Sequence, residues 1–327
     1  MRFRRRFLLA LAAGLAAPLA ARAQQKARPT SRVFRIGVLE PTSERANRDS
    51  LREGLTDLGY IDGKNIAIEF RSADGRAERF PELAAELAAL KTDVFVVRGT
   101  PAALAARGAS GAPVVMAAVA DPVGAGLMTN LVKPGGNVTG LTTLSDQVVA
   151  QRVSLLRELL PRAVRAGHLM NLSNPASAAQ FRESAKVAKT LGLDMVQLDV
   201  REPQDFGRAF DLAAEQKVEG LLVNVDGLIL EHRRAVAEYA AKHKLPAVYS
   251  DREFVAAGGL LSYGVHYPHL YYRAANFVGR ILRGTKPGEL AVETPTRFYM
   301  AVNRRTARTL GLVVPPAILQ RADRVIG

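Results

Sequence analysis

Small polar side chains stand where the predicted strands of this 327-residue chain end. Hydroxyl, amide and carboxylate groups of this kind hold small polar molecules through hydrogen bonds and charge pairing. In open parallel sheets, ligands bind beyond the carboxyl ends of the strands, where loops lead into helix N-termini whose free N–H groups favour anions. The pattern therefore predicts a ligand site formed by Thr42, Ser43, Gly99, Thr100, Asp121, Thr142, Thr143, Asn171, Asn174, Asp226 and Asp251.

Three of these residues suggest specific contacts with a ligand. Thr100 precedes a proline, as an N-cap does, and its hydroxyl and the nearby amides could receive a carboxylate. Asp226 and Asp251 end two apolar strands and could receive an amino group. Helix capping alone would also explain Thr100, and capping or ion pairs with Arg233 or Arg252 would explain the two aspartates.

Signatures of catalysis and of metal binding are weak in this sequence. The segment Gly124–Thr129 begins like a dinucleotide fingerprint but has threonine where the third small residue belongs. Of the five histidines, only His266 and His269 have the spacing of metal ligands. The chain has no cysteine, which excludes a thiolate nucleophile, an iron–sulfur site and lipid acylation. We therefore expect a protein that is not an enzyme and that needs neither a metal nor a cofactor.

The charge distribution argues against nucleic-acid binding. The formal net charge is +14, but Arg2, Arg4, Arg5, Arg6 and Arg22 in a segment without acids contribute part of it. The remaining positive charge is spread along predicted helices, with few aromatic residues between the basic ones to stack on bases.

Residues 1–23 have the pattern of an export signal. A basic start is followed by the apolar run Phe7–Leu19 and by small residues before Gln24. The apolar run is shorter than the roughly 20 residues that a membrane span needs. We expect residues 24–32 to be a linker and the mature protein to be periplasmic, without a lipid anchor. The run Arg4–Leu8 fits a twin-arginine signal, although extra arginines could equally strengthen an ordinary Sec signal.

Predicted strands alternate with amphipathic helices along the rest of the chain, and the pattern occurs twice in tandem. Near-continuous apolar strands separated by helices are typical of parallel sheets that are covered on both faces. We therefore predict an α/β fold with two Rossmann-like, doubly wound parallel sheets. The strands that carry this prediction include 35–39, 65–70 and 93–97 in the first half, and 167–171, 194–200 and 220–225 in the second.

Several sequence blocks resemble the substrate-binding proteins of ABC transporters, including those that bind tryptophan and other aromatic amino acids. The most specific blocks are Asp-Pro-Val-Gly-Ala-Gly-Leu at 121–127 and Pro-Gly-Gly-Asn-Val-Thr-Gly at 134–140. Further blocks lie at 35–39, 54–66, 73–75 and 258–260.

The resemblance implies a type I periplasmic-binding fold, with two lobes that are joined by a three-strand hinge and close on a ligand. The crossings are expected near Thr142, near Val265 and within 293–297. Lobe 1 would comprise 33–141 plus 266–294, and lobe 2 would comprise 142–265 plus 295–327. Because the chain has no tryptophan, stacking on an aromatic ligand is expected to involve Tyr249, Phe254 or Tyr263.

We therefore expect a periplasmic, monomeric clamp that binds a small polar metabolite, either an amino acid or another carboxylate, and delivers it to an inner-membrane ABC permease. In this interpretation Thr142 and Thr143 lie at the hinge, and Asn171, Asn174 and Asp226 contact the ligand from the second lobe. One alternative is a ligand-sensing module for a receptor kinase. An exported hydrolase is another, since the members of a catalytic triad need not be adjacent in sequence.

Overall fold

The fold is given by a computed structural model that describes residues 32–143, 146–224 and 226–327. The predicted export signal and nearly all of the predicted linker lie outside the described residues. None of the helices in these ranges is long and apolar enough to cross a membrane.

The first sheet has five parallel strands in the order β2-β1-β3-β4-β5. Apart from Arg98 at the end of one strand, its central strands are runs of apolar residues, about half of them valine, and all of these residues are buried, as expected for a sheet covered on both faces. The strands are β1 (Phe34–Glu40), β2 (Ile66–Ser72), β3 (Val94–Arg98), β4 (Val114–Val119) and β5 (Val138–Thr142). The helices between them are α1 (Arg45–Asp57), α2 (Phe80–Ala89), preceded by a 3₁₀ turn at Ala77–Arg79, and α3 (Thr100–Ala109).

The second sheet has seven strands in the order β12-β11-β10-β9-β8-β6-β7. They are β6 (Arg165–Met170), β7 (Asp194–Asp199), β8 (Gly220–Val223), β9 (Ala247–Tyr249), β10 (Leu261–Val265), β11 (Phe298–Asn303) and β12 (Arg324–Ile326). The helices are α4 (Asp146–Leu159), α5 (Ser177–Thr190), α6 (Asp205–Glu215), α7 (Gly227–Glu231), α8 (Arg233–Lys242), α9 (Arg252–Ala256), α10 (Tyr267–Leu282), α11 (Arg304–Thr309) and α12 (Pro316–Arg321), with a 3₁₀ turn at Pro287–Glu289.

Helix α10 follows a strand of the second sheet but packs against the first sheet. Its predicted apolar positions are buried there with Ile36, Val38 and Val94, and they are Leu270, Ala274, Phe277 and Ile281. Helix α1 approaches α10 so closely that a Cβ atom on Gly54 would lie 2.6 Å from the carbonyl oxygen of Tyr272. We call the first sheet with α1–α3 and α10 the first lobe, and the second sheet with the other helices the second lobe.

The chain passes between the lobes after β5, after β10 and before β11. Hydrogen bonds hold these passages side by side: Thr142 N–H donates to the Glu293 carbonyl at 2.9 Å, and His266 N–H donates to that of Arg297 at 3.4 Å. Because β11 enters the second sheet from the side at which β10 leaves it, the two strands are antiparallel, in contrast to every other pair in that sheet.

Short elements account for the local differences between the structure and the sequence pattern. The pattern predicts one helix over 231–244, whereas the structure has α8 there, preceded by the separate short helix α7. The short helices α7, α9 and α12 and the edge strand β12 were not predicted, because each is too brief to show a periodic pattern.

The backbone geometry at residue 140 requires glycine. Gly140 lies in β5 with φ +123°, and a Cβ atom there would be 2.2 Å from the carbonyl oxygen of Met116 in β4. We predict that Gly140→Ala lowers the free energy of unfolding by roughly 3 kcal/mol or more, through backbone strain and overpacking. Gly111→Ala, at a site with open space, is the control and should change it by less than about 1 kcal/mol. Urea unfolding followed by circular dichroism measures both, and equal effects would contradict the prediction.

Buried His168 in β6 should make the fold sensitive to acid. Burial, together with the charge of Arg152, lowers the pKa of His168 to about 4, although its contact with Asn224 acts in the opposite direction. The unfolded chain therefore takes up a proton near pH 6.5 that the folded chain takes up only near pH 4, and stability falls as the pH drops between these values. Between pH 7 and pH 5, protonation of this residue in the unfolded chain should lower the free energy of unfolding by about 2 kcal/mol.

The test compares the wild type with His168→Gln, which keeps a polar group but does not titrate. Urea unfolding at pH 7 and pH 5 gives the pH-dependent loss for each protein. The wild type should lose about 2 kcal/mol more than the variant, and equal losses would show that His168 titrates alike in the folded and unfolded chains.

Candidate ligand-binding site

A cleft lies between the two lobes, at the carboxyl ends of strands from both sheets. It contains about 710 Å³ of empty space, part of it open to solvent. The first lobe contributes Pro41, Ala73, Gly75, Ala77, Phe80, Arg98, Gly99, Thr100, Pro101, Ala118, Ala120 and Tyr267, with Thr143 at a crossing. The second lobe contributes Asn174, Ala176, Gln180, Asp226, Gly227, Leu228 and Leu230.

The N-terminus of α3 opens into this cleft. The backbone turns from β3 into the helix at Gly99, whose φ of +88° favours glycine. Thr100, the first helical residue, is 1% exposed, and its hydroxyl has no hydrogen-bond partner within the described residues. An unpaired buried hydroxyl is costly. Together with the free N–H groups of the first turn, it forms a site suited to an anionic group.

Asp226 faces the cleft from the second lobe and is held by three hydrogen bonds. One carboxylate oxygen accepts the Leu228 N–H at 3.0 Å, as the N-cap of α7, and the Asn171 side-chain amide at 3.1 Å. The other oxygen accepts the Asn174 amide at 2.9 Å. A carboxylate has about four acceptor positions. The second oxygen therefore keeps capacity for a donor in the cleft.

Gln180 of α5 is positioned by a hydrogen bond to another residue of the second lobe. Its side-chain oxygen accepts the amide of buried Asn224 at 2.6 Å, directly after β8. This leaves the Gln180 amide N–H groups as donors on a side chain that lines the cleft.

Arg98, at the end of β3, forms an ion pair with Asp251 of the second lobe. Its Nη2 atom donates to Asp251 Oδ2 at 3.1 Å, and the two side chains are 5% and 4% exposed. The guanidinium carbon lies 3.9 Å from the ring centroid of Tyr267, a cation–π contact. Burial alone would lower the pKa of Arg98, but Tyr267 and Asp251 outweigh it and raise the pKa above its usual value. Arg98 is therefore a charged group in the wall of the cleft.

The cleft brings together five of the eleven predicted site residues, namely Gly99, Thr100, Thr143, Asn174 and Asp226. Asn171 lies behind Asp226 and orients it. The sequence left open whether Asp226 is a ligand group or a helix cap. In the structure it is the N-cap of α7 and it also lines the cleft.

The other predicted residues lie outside the lining of the cleft. Asp121 accepts the Gly124 N–H at 2.8 Å and so closes a turn. Ser43 accepts from Arg48 at 2.7 Å, while Thr142 is a buried residue of β5. Thr42 is buried, and its hydroxyl also has no partner within the described residues. Asp251 is the cap of α9 and the partner of Arg98, rather than of Arg233 or Arg252.

The aromatic residues of the cleft are not those that the sequence suggested. Tyr249 and Phe254 stack on each other at 4.9 Å within the buried core, and Tyr263 stacks on Phe298 at 5.8 Å. The rings that line the cleft are Phe80 and Tyr267. Tyr267 precedes a proline at a helix start after a strand, which is the same signal that selected Thr100.

The histidine pair with metal-ligand spacing forms a helix cap. The Nδ1 atom of His266 accepts the backbone N–H of His269 at 3.2 Å, at the start of α10. Among the described residues, no group of three or more metal-binding side chains is placed to hold an ion.

The lobes touch each other at two glycines on the rim of the cleft. A Cβ atom on Gly227 would lie 3.0 Å from the Cβ of Pro41, and one on Gly75 would lie 2.8 Å from the Cβ of Glu231. Any larger side chain at either glycine would hold the lobes apart. The structure therefore describes the clamp in a closed arrangement.

Comparison with known proteins agrees with this architecture, which is the type I periplasmic-binding fold. Residues 35–326 match the family model described as ABC transporter substrate binding protein. A tyrosine-binding protein from Clostridioides difficile (strain R20291) is 29% identical over 276 residues, which are 84% of this chain and 79% of that protein.

Two solved structures differ in how well they superpose on this chain. An ABC domain from Streptococcus pneumonia in complex with L-Trp is 28% identical, with a TM-score of 0.83 over 90% of this chain and 100% of its own. The ligand-free, open structure of a substrate-binding protein with adhesive properties from Clostridium difficile is 27% identical, with a TM-score of 0.66 over 90% of this chain and 99% of its own. Since the family model spans almost all of the described residues, the chain belongs to the ABC transporter substrate-binding protein family.

Proposed function

We propose that this protein is the periplasmic solute-binding component of an ABC importer and that its ligand is an α-amino acid. The observation that carries the proposal is the buried Thr100 hydroxyl at the start of α3, which has no hydrogen-bond partner among the described residues and shares its cleft with Asp226. One wall of the cleft offers donors for a carboxylate, and the opposite lobe offers an acceptor for an ammonium group.

The carboxylate of the ligand binds at the start of α3. The Thr100 hydroxyl and the free N–H groups of the first turn supply hydrogen bonds, and the helix dipole favours negative charge. The positive charge of Arg98 adds to the local potential, although its hydrogen bond to Asp251 is already made.

The ammonium group binds to Asp226. Its Oδ2 atom accepts one hydrogen bond from Asn174 and retains a further acceptor position. The two asparagines and the Leu228 N–H fix the carboxylate before the ligand arrives, which reduces the entropy lost on binding. The sequence suggested this cation-binding role for both Asp226 and Asp251, and we propose it for Asp226 alone.

The side chain of the ligand lies against the apolar part of the cleft. Phe80, Tyr267, Leu228 and Leu230 line it, along with several alanines. Aromatic rings favour offset or edge-to-face contacts with another ring. The tyrosine and L-Trp that the similar proteins bind support an amino acid with an aromatic or other apolar side chain.

Closure of the two lobes makes binding selective. A ligand that bound the open and closed forms equally would shift nothing, so the contacts to both lobes must favour the closed form. We propose that the hinge follows the boundaries given above, with lobe 1 at 33–141 and 266–294. The exported, monomeric protein then delivers its ligand to an inner-membrane permease.

Replacing Thr100 should affect stability and binding in opposite directions. Thr100→Val keeps the shape of the side chain but removes the unpaired hydroxyl, so the melting temperature of the ligand-free protein should be unchanged or higher. Affinity for the amino acid should fall by roughly ten- to a hundredfold, because a charge-assisted hydrogen bond is lost. A melting-shift screen of the twenty amino acids and of small carboxylates identifies the ligand, and titration calorimetry measures its affinity.

Thr42→Val is the matched control for this experiment. Thr42 is also 1% exposed, and its hydroxyl has no partner in the described part of the chain, yet it does not line the cleft. Thr42→Val should therefore leave affinity unchanged.

Asp226→Asn should weaken the binding of amino acids more than that of carboxylates without an amino group. If no compound in the screen raises the melting temperature, or if both threonine variants bind like the wild type, the proposal fails.

A further inference from the structure

Arg98 and Asp251 form a buried ion pair that joins the two lobes. Arg98 is the last residue of β3 in the first lobe, and Asp251 follows β9 in the second lobe. The pair is separated by 153 residues along the chain, and both side chains are at least nine-tenths buried. Of the two, only Arg98 lines the cleft.

Both partners are held in place within their own lobes. Asp251 Oδ1 accepts the Glu253 N–H at 3.0 Å as the cap of α9, which directs Oδ2 towards Arg98. The guanidinium of Arg98 rests on the ring of Tyr267. Neither side chain needs to reorganise when the lobes meet, so little conformational entropy is lost in forming the pair.

The energy of this pair depends on the arrangement of the lobes. When the lobes separate, water reaches both groups and their attraction becomes weak. When the lobes close, each charge loses water and relies on the other for compensation. Removing one partner of a buried pair is costly because the remaining charge is then buried alone.

We infer that the Arg98–Asp251 pair is a latch that holds a fraction of the ligand-free protein closed and slows the release of bound ligand. Asp251 acts through Arg98 and is a positioning residue, whereas Thr100 and Asp226 contact the ligand. The inference rests on the proposed function in one respect, namely that the lobes open and close around a ligand.

The substitution Asp251→Asn separates the charge of Asp251 from its capping role. Asparagine is as good an N-cap as aspartate, so α9 should remain intact. Closing the variant buries Arg98 without its hydrogen-bonded carboxylate and leaves it only the weaker attraction of Glu44, so its lobes should stay open in the absence of ligand. We expect L-tyrosine, used as the probe ligand, to dissociate from it about a hundredfold faster than from the wild type.

Distances between the lobes can be measured without any ligand. The natural chain has no cysteine, so Glu82→Cys on α2 and Glu238→Cys on α8, both at exposed positions, place one spin label on each lobe. Pulsed electron paramagnetic resonance then gives the distance distribution. The wild type should show a shorter and a longer population, and Asp251→Asn should show only the longer one.

Two further variants calibrate the distances. Asp211→Asn makes the same chemical change at an exposed position of α6 and should match the wild type. Gly227→Val places a branched side chain where a Cβ atom alone already approaches Pro41 at 3.0 Å, and it supplies the distance of the open form.

The outcomes for the latch and for the proposed function are distinct. If Asp251→Asn has the same ligand-free distribution as the wild type, or if the wild type shows only the distance of Gly227→Val, the latch is refuted. If the short population disappears in Asp251→Asn while the wild type binds no amino acid, the latch holds and the amino-acid proposal fails.

Discussion

Burial of the charged Arg98 guanidinium is the physical constraint that the closed arrangement has to satisfy. A charged group that loses its water must find compensation in the protein, and Arg98 finds it in a carboxylate of the other lobe and in the ring of Tyr267. The three groups come from three separate segments: Arg98 ends β3, Asp251 follows β9, and Tyr267 begins α10. The relative position of the lobes therefore determines whether the charge of Arg98 is compensated.

The cleft contains polar groups in two different conditions, and the contrast explains their roles. Arg98, Asp251 and Asn171 already have partners inside the protein. The Thr100 hydroxyl has none among the described residues, and Asp226 keeps spare acceptor capacity. In the proposed function, the first group positions the walls of the cleft and the second group contacts the ligand. Asp226 and Asp251, one from each group, also cap a short helix each.

Much of the fold followed from local pattern, while the site followed only in part. The alternation of buried strands and amphipathic helices is local, so it predicted the two sheets and the long helix α10. The rule that ligands bind at strand ends selected Thr100 and Asp226, which line the cleft. It also selected Asp121, which leads into a turn instead of a helix. The partner of Asp251 lies on the other lobe, and no local pattern contains that information. Phe80 was missed because it enters the cleft from the start of α2, well after β2 has ended.

Helix α10 covers the first sheet but is encoded after nearly all of the second lobe. During synthesis, the apolar face of the first sheet that includes Ile36, Val38 and Val94 stays uncovered until the residues after 266 have been made. The contacts that complete this lobe therefore join distant parts of the chain, which favours slow folding and prolonged exposure of apolar surface. The second sheet likewise gains β11 and β12 only at the end of the chain. Neither half of the molecule is a self-sufficient folding unit, so the chain must be nearly complete before either half can reach its final structure.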